Sequence, residues 1–329
     1  MTQPLLRIDD LTTVFDSEAG PIVAVDGLSL SVAPGEIAGL VGESGCGKSL
    51  TALSVMGLLS PPGRVAMGRI LFQDRDLLTL SQAQMRTLRG REISMIFQEP
   101  MTSLNPVFTV GRQIAEEITV HEEVSKRAAW KRAVQMLHKV GIPEAETRAK
   151  AFPHQLSGGM RQRVMIAMAL AMDPHLLFAD EPTTALDVTI QAQILSLLNK
   201  LQSETGAAVL LITHNLAVVA QMAETVAVMY AGRLVEEAPV GELFKLALHP
   251  YTQGLMACLP YRAPRGKPLS TIGGVVPPLG ELPPGCAFSN RCPRAFEPCH
   301  RAEPALVEVS PGRRVRCYLH HSRQRREAA

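Results

Sequence analysis

Residues 42–49 read Gly42-Glu43-Ser44-Gly45-Cys46-Gly47-Lys48-Ser49, the full G-x-x-x-x-G-K-[ST] pattern that builds a cradle for nucleotide phosphates. Glycines let such a loop curl until successive backbone N–H groups converge on phosphate oxygens, and a helix starting near Lys48 adds the positive end of its dipole. Lys48 is suited to neutralise the β and γ phosphates, and the Ser49 hydroxyl to ligate Mg2+. The candidate nucleotide-binding set here is Gly42, Ser44, Gly45, Cys46, Gly47, Lys48, Ser49 and Leu50. The flanks agree: Glu36-Ile37-Ala38-Gly39-Leu40-Val41 reads as a short, mostly apolar strand, and Leu50 to Leu59 carries helical patterning that Pro61-Pro62 should stop. Strand, glycine loop and helix stand in the order that a nucleoside triphosphate site requires.

Partner carboxylates follow much later. Leu176-Leu177-Phe178-Ala179-Asp180-Glu181 is a buried-strand run ending in two acids, of which Asp180 can hold Mg2+ through water and Glu181 can polarise the attacking water. Leu156-Ser157-Gly158-Gly159-Met160 precedes a helix-like run, Arg161 to Met172, so Ser157 and the two glycines sit at a helix N-terminus suited to a second phosphate contact. Gln98 follows the apolar strand Ile93 to Phe97. Ala185-Leu186-Asp187 follows the acids, and His214 ends the strand Ala208 to Thr213.

Together these elements resemble the nucleotide-binding subunit of ATP-binding-cassette (ABC) transporters. The resemblance implies a P-loop NTPase α/β core with a parallel sheet, an accessory antiparallel β part and a helical subdomain that carries the signature Leu156-Ser157-Gly158-Gly159. It also implies that ATP lies between two such subunits, so that Ser157, Gly158 and Gly159 act on the partner's nucleotide. Within that scheme Glu181 is the catalytic acid residue, Gln98 senses Mg2+ and couples to the membrane subunits, Asp187 reaches across the dimer, and His214 contacts the γ-phosphate. Phe15 stands where the family places an adenine-stacking aromatic, although an isolated Phe near a strand is also a simple core residue. Met160 departs from the commoner Gln ending of the signature.

Composition sets outer limits. At 329 residues the chain exceeds one average domain, and 46% hydrophobic residues permit a substantial core. A net charge of +2 gives no footing for a polyanionic partner, and no nucleic acid is expected. No apolar run approaches the ~18 residues of a spanning helix, and the N-terminus lacks the basic and apolar regions of a signal peptide, so a cytosolic location is expected.

Residues 1–97 and 166–235 read as an α/β core, and 98–165 as a mainly helical insert. In that insert Ala129, Ala133, Met136, Leu137 and Val140 fall at helical spacing and form a packing face. From 236 to 329 the character changes: Pro and Gly become frequent, regular structure should be short, and order needs another source. Four of the six cysteines lie there, Cys286, Cys292, Cys299 and Cys317. In a reducing compartment such a group suits a metal better than disulfides, and its C-x5-C-x6-C-x17-C spacing leaves zinc, an iron–sulfur cluster and simple packing all open. The run Gly285-Cys286-Ala287-Phe288-Ser289-Asn290-Arg291-Cys292-Pro293, with Cys299 and Cys317, looks like the C-terminal extension of dipeptide and oligopeptide permease ATPases. That likeness implies a [4Fe–4S] cluster, with Zn2+ as the alternative.

His300, His320 and His321 are substitute ligands or plain exposed residues. Cys46 reads as a small filler and Cys258 as a buried apolar residue. Arg313, Arg314, Arg316, Arg323, Arg325 and Arg326 read as a solvated basic tail.

The resemblance therefore implies an ATP-hydrolysing subunit of an importer for di- or oligopeptides, peripheral on the cytoplasmic face of the plasma membrane. Its implied partners are a second ABC ATPase, commonly a different chain, two transmembrane permease subunits and an extracytoplasmic peptide-binding protein. Nickel, glutathione or another small solute is the alternative cargo, because the ATPase does not touch the substrate in this architecture. Cassette ATPases that act on DNA or the ribosome form a different class. Against that class stand a single cassette, no long coiled-coil insert and no strong basic face.

Overall fold

The computed structural model of the chain describes residues 3–99, 103–184, 186–259 and 270–321. Among these the strands are β1 (Leu6–Phe15), β2 (Ile22–Val32), β3 (Ile37–Val41), β4 (Gly63–Phe72), β5 (Arg75–Asp76) and β6 (Ile93–Ile96). They continue with β7 (Leu176–Asp180), β8 (Ala208–Thr213), β9 (Thr225–Tyr230), β10 (Arg233–Pro239), β11 (Val307–Ser310) and β12 (Arg313–Val315). The chain divides into two compact units. The first comprises Met1–Leu5, Val32–Glu36 and Thr79–Leu211, and the second Leu6–Ser31, Ile37–Leu78 and Ile212–Ala329.

In the first unit β6 and β7 run parallel, with Ile93 opposite Leu176 and Ile96 opposite Ala179, and β8 lies on the other side of β7. Every residue of β6 and β7 is buried, as expected of parallel strands covered on both faces. Between β6 and β7 the described residues form helices: Val110–His121, Lys126–Lys139, Ala145–Arg148 and Gly158–Ala169. Lys126–Lys139 starts where the Ser125 hydroxyl accepts the Ala128 N–H, and Ala129, Ala133 and Leu137 form its buried stripe at four-residue spacing. Val140 is buried at its C-terminal cap, whereas Met136 is only half-buried.

The second unit holds an antiparallel sheet in the order β2-β1-β4-β5 and, separately, the series β3-β9-β10-β12-β11. β3 and β9 are parallel, and β9, β10, β12 and β11 pair antiparallel in turn. The helix after the glycine loop, Lys48–Met56, stops earlier than the prolines suggest: Gly57 adopts a left-handed conformation and returns its N–H to Leu53 and Ser54 carbonyls. Pro61-Pro62 therefore follow a turn that is already complete.

The C-terminal extension gains part of its order from the sheet. β12 pairs with β10, which runs through residue 236, and Leu248, Val315 and Cys317 form a small apolar core with Val307, Val309 and Leu319 against it. Three of the basic residues are accordingly not a solvated tail. Arg313 faces the carboxylates of Glu236 and Glu242, Arg314 pairs with Glu237, and Arg316 donates to the carbonyls of Leu234 and Pro304. Arg323, Arg325 and Arg326 lie outside the described residues, as does Ala185.

Candidate active site

The phosphate loop belongs to the second unit and is shaped by what surrounds its glycines. A Cβ on Gly42 would stand 2.3 Å from the Met229 carbonyl oxygen and 2.7 Å from the Cys46 sulfur. Gly47 has φ 99°, and a Cβ there would meet the Ala24 carbonyl at 2.8 Å. Only glycine permits this close path. Cys46 is fully buried and its carbonyl accepts the Gly232 N–H at 3.0 Å, so it anchors the loop to the β9–β10 turn. Burial raises its thiol pKa, which suits a filler and not a nucleophile.

Lys48 is buried, and its ammonium donates to the carbonyls of Gly42 at 2.9 Å and Glu43 at 3.0 Å. Ser44 and Gly45 are exposed at the loop tip, and Ser49 and Leu50 are half-buried in the first turn of the helix. Phe15 is half-buried at the end of β1, opposite Gly63 of β4, where the missing side chain leaves room for its ring. His214 is exposed directly after β8, ahead of Asn215, which caps Leu216–Met222.

Sequence reasoning missed the support of Glu43. Its N–H donates to the Tyr251 hydroxyl at 2.9 Å, and its carboxylate receives both terminal nitrogens of Arg291, at 2.7 and 3.1 Å. Arg291 sits in the quoted cysteine run, one residue before Cys292, and only that position hinted at a role.

The acids belong to the first unit. β7 delivers Asp180, and the chain turns at Glu181; both side chains are buried. Glu181 has φ 44°, a left-handed conformation that is costly for a non-glycine residue and persists only where its surroundings enforce it. Its Oε2 accepts the Thr184 hydroxyl at 2.7 Å and the Gln98 amide at 3.3 Å. Gln98, exposed just after β6, is thus brought to Glu181, while Thr184, three residues beyond the acid, carried no sequence signal of its own.

Ser157 caps the helix Gly158–Ala169, its hydroxyl accepting the Met160 N–H at 3.3 Å. Asp187 caps the helix Val188–Thr205 in the same way, through the Ile190 N–H at 2.9 Å. The two helix starts pack together. A Cβ on Gly159 would stand 3.0 Å from the Ile190 side chain, and one on Gly158 3.8 Å from Leu186. Ser157, Gly158 and Asp187 remain exposed. Each constellation, the phosphate loop and the acids with the signature, is thus assembled inside one unit.

In the second unit Cys286, Cys292, Cys299 and Cys317 all line one cavity, together with Ser289 and His249. Burial pushes the Cys286 thiol up to about 12 and raises those of Cys292 and Cys317. Among the described residues no three His, Cys, Asp or Glu side chains are grouped so as to hold a metal ion, which gives neither the [4Fe–4S] cluster nor the zinc alternative support. His300, His320 and His321 are not in the lining: His300 is exposed, and the rings of His320 and His321 face the carbonyls of Leu248 and Ala305. His249 was not foreseen; it is buried, its Nδ1 accepts the Tyr251 N–H at 3.0 Å, and desolvation with the nearby His320 and Arg316 lowers its pKa to about 3. Cys258 is half-buried.

Among the described residues no helix is long and apolar enough to cross a membrane. The ABC transporter family model matches residues 25–184, and the model for the oligopeptide/dipeptide transporter C-terminal region matches residues 235–299. A putative peptide import ATP-binding protein of Brucella melitensis is 53% identical over 327 residues, covering 96% of this chain and 97% of the relative. The oligopeptide transport ATP-binding protein AppD of Bacillus subtilis is 50% identical, covering 96% of this chain and 97% of its own. The dipeptide transport ATP-binding protein DppD of Escherichia coli is also 50% identical, covering 95% and 96%.

Among solved structures, a dimeric ATP-binding cassette in a post-hydrolysis state with ADP and Pi matches with TM-score 0.65 at 27% identity, over 71% of this chain and 98% of that one. CbiO1 of Clostridium perfringens, part of an ABC transporter complex, matches with TM-score 0.62 at 28% identity, over 74% and 91%. The fold expected from the motifs is the fold of these cassettes. With a glycine-walled phosphate loop and a strained, doubly held Glu181, the chain belongs to the ABC transporter family, as an ATP-hydrolysing, ATP-binding subunit that carries the oligopeptide/dipeptide C-terminal region.

Proposed function

We propose that the chain powers an importer for di- or oligopeptides from the cytoplasmic face of the plasma membrane. A second cassette ATPase, two permease subunits and an extracytoplasmic peptide-binding protein complete the machine. The observation that carries the catalytic part is Glu181, a buried acid in a strained conformation with one oxygen held by Gln98 and Thr184. The peptide cargo is supported by the names of relatives that share half of this sequence from end to end.

The residue roles in this reading are those that the family resemblance implies at the matching positions. Lys48 and the backbone of the 42–49 loop hold the phosphates, with Ser49, Gln98 and, through water, Asp180 on Mg2+. Glu181 polarises the attacking water, His214 meets the γ-phosphate, and Phe15 stacks on adenine. Ser157, Gly158, Gly159 and Asp187 serve nucleotide held by the partner ATPase. Residues 1–97 and 166–235 work as the ATP-binding core, 98–165 as the signature subdomain and 236–329 as the cysteine extension.

Cys286, Cys292, Cys299 and Cys317 are the ligands of a [4Fe–4S] cluster in this reading. Four thiols lining one cavity are the donor set that supports this reading. When bound, the cluster supplies a redox-active centre and a four-point crosslink for a Pro/Gly-rich segment.

Co-expression with permease subunits of a di- or oligopeptide importer, reconstitution in proteoliposomes and addition of a peptide-binding protein with a dipeptide test the proposal. Peptide-stimulated ATP hydrolysis is expected. Stimulation by nickel or glutathione alone, or RNA-dependent sedimentation without permease association, contradicts it.

A further inference from the structure

Glu43, inside the phosphate loop, is gripped from three sides. Its carbonyl accepts Lys48, its N–H donates to the Tyr251 hydroxyl, and its carboxylate takes the fork of Arg291. Two of the three grips come from beyond residue 235. Arg291 itself is sunk in the protein, with its side chain 4% exposed, while that of Glu43 is 31% exposed. Its guanidinium lies 5.7 and 5.9 Å from the rings of Tyr230 and Phe288, and its Nε donates to the Gly273 carbonyl at 2.9 Å. A planar fork fixed on every side delivers a defined geometry to the carboxylate it holds.

The Lys48 grip is temporary by its chemistry. An ammonium that turns to the β and γ phosphates gives up the loop carbonyls, and the Glu43 segment then depends on Arg291 and Tyr251 to keep its course. We propose that Arg291 is a positioning residue for the ATPase reaction: from within the cysteine extension it holds the phosphate loop, through Glu43, in the form that receives nucleotide. The inference rests on reading residues 42–49 as the phosphate loop.

Calorimetric titration of the chain with MgATP, alongside hydrolysis kinetics, tests it with Arg291→Lys, Glu43→Gln and the double variant. Each single variant is expected to weaken MgATP binding at least ~5-fold, the lower end of coupling between sites. KM should rise while turnover at saturating ATP holds, and the double variant should be no worse than the weaker single, because both changes break one contact. Glu43→Gln leaves the Gly273 contact and the ring contacts of Arg291 in place, so it decides the matter even if Arg291→Lys fails to fold. Unchanged affinity in Glu43→Gln, or losses that add in the double variant, overturn the inference. Lys48→Ala separates the two readings: if it too leaves MgATP affinity unchanged, the phosphate loop assignment itself is wrong.

Discussion

Thr184 donates its hydroxyl to Oε2 of Glu181 at 2.7 Å, the same oxygen that the Gln98 amide reaches at 3.3 Å. Two donors on one oxygen set the plane of the carboxylate. The backbone of Glu181, at φ 44°, sets where that plane stands. A general base must point its lone pairs at the proton it takes, and in the role proposed for Glu181 these three constraints would do the pointing before substrate arrives. Gln98 comes from the end of β6 and Thr184 from the turn after β7, so the parallel pairing of those strands is what brings them to one oxygen.

Ser157 presents its hydroxyl as the cap of an exposed helix start, where the proposed role puts it on nucleotide held by a partner ATPase. Ser157→Arg should leave MgATP binding by the isolated chain intact and block ATP-driven association with a second cassette, measured by size-exclusion chromatography with a hydrolysis-deficient partner. Loss of binding by the monomer would show that the signature is only a structural cap.

His249 makes stability depend on pH. Its folded pKa, about 3, lies below the ordinary value of 6.5, because burial and the nearby His320 and Arg316 disfavour the imidazolium. Between these two values the unfolded chain binds a proton that the folded chain refuses, so stability falls as pH drops below about 6.5. Protonation would also remove the acceptor for the Tyr251 N–H. Melting temperatures measured from pH 7.5 to 5 should decline for the native chain and decline less for His249→Asn, which keeps a capping acceptor. Equal slopes would rule out His249 as the source.

Anaerobically purified protein should be brown and carry iron and acid-labile sulfide in equal amounts. Cys292→Ser should bleach the colour and loosen residues 286–321 to proteolysis. Cluster ligands bind as thiolates and burial raises the Cys286 thiol, so loading releases protons and should be more complete at pH 8.5 than at pH 7. A colourless preparation without metal would leave the four thiols as packing groups.

Much of the fold was legible because its strands are short, apolar and bounded by chemistry. The phosphate loop, the run ending in Asp180-Glu181 and the strand Ala208 to Thr213 could be placed within a residue or so. The end of the first helix was misread because Gly57 closes it before the prolines do, and a single glycine is a quieter signal than Pro-Pro. The basic C-terminal residues were misread for a different reason. Arg313 and Arg314 find carboxylates, and Arg316 one of its two carbonyls, on β10, about seventy to eighty positions back along the chain, and no local pattern records such pairing. Arg291 and Tyr251 were hidden the same way, since each meets Glu43 only after some two hundred residues of intervening chain have folded.

Hydrolysis by a Glu181→Gln variant in the reconstituted complex tests the central claim most directly. Gln keeps the shape and can still accept from Thr184, but it cannot polarise water as a carboxylate does. Peptide-stimulated ATP turnover should fall at least ~100-fold while MgATP binding persists. Turnover close to that of the native complex would contradict the role of Glu181 and, with it, the catalytic account of the whole site.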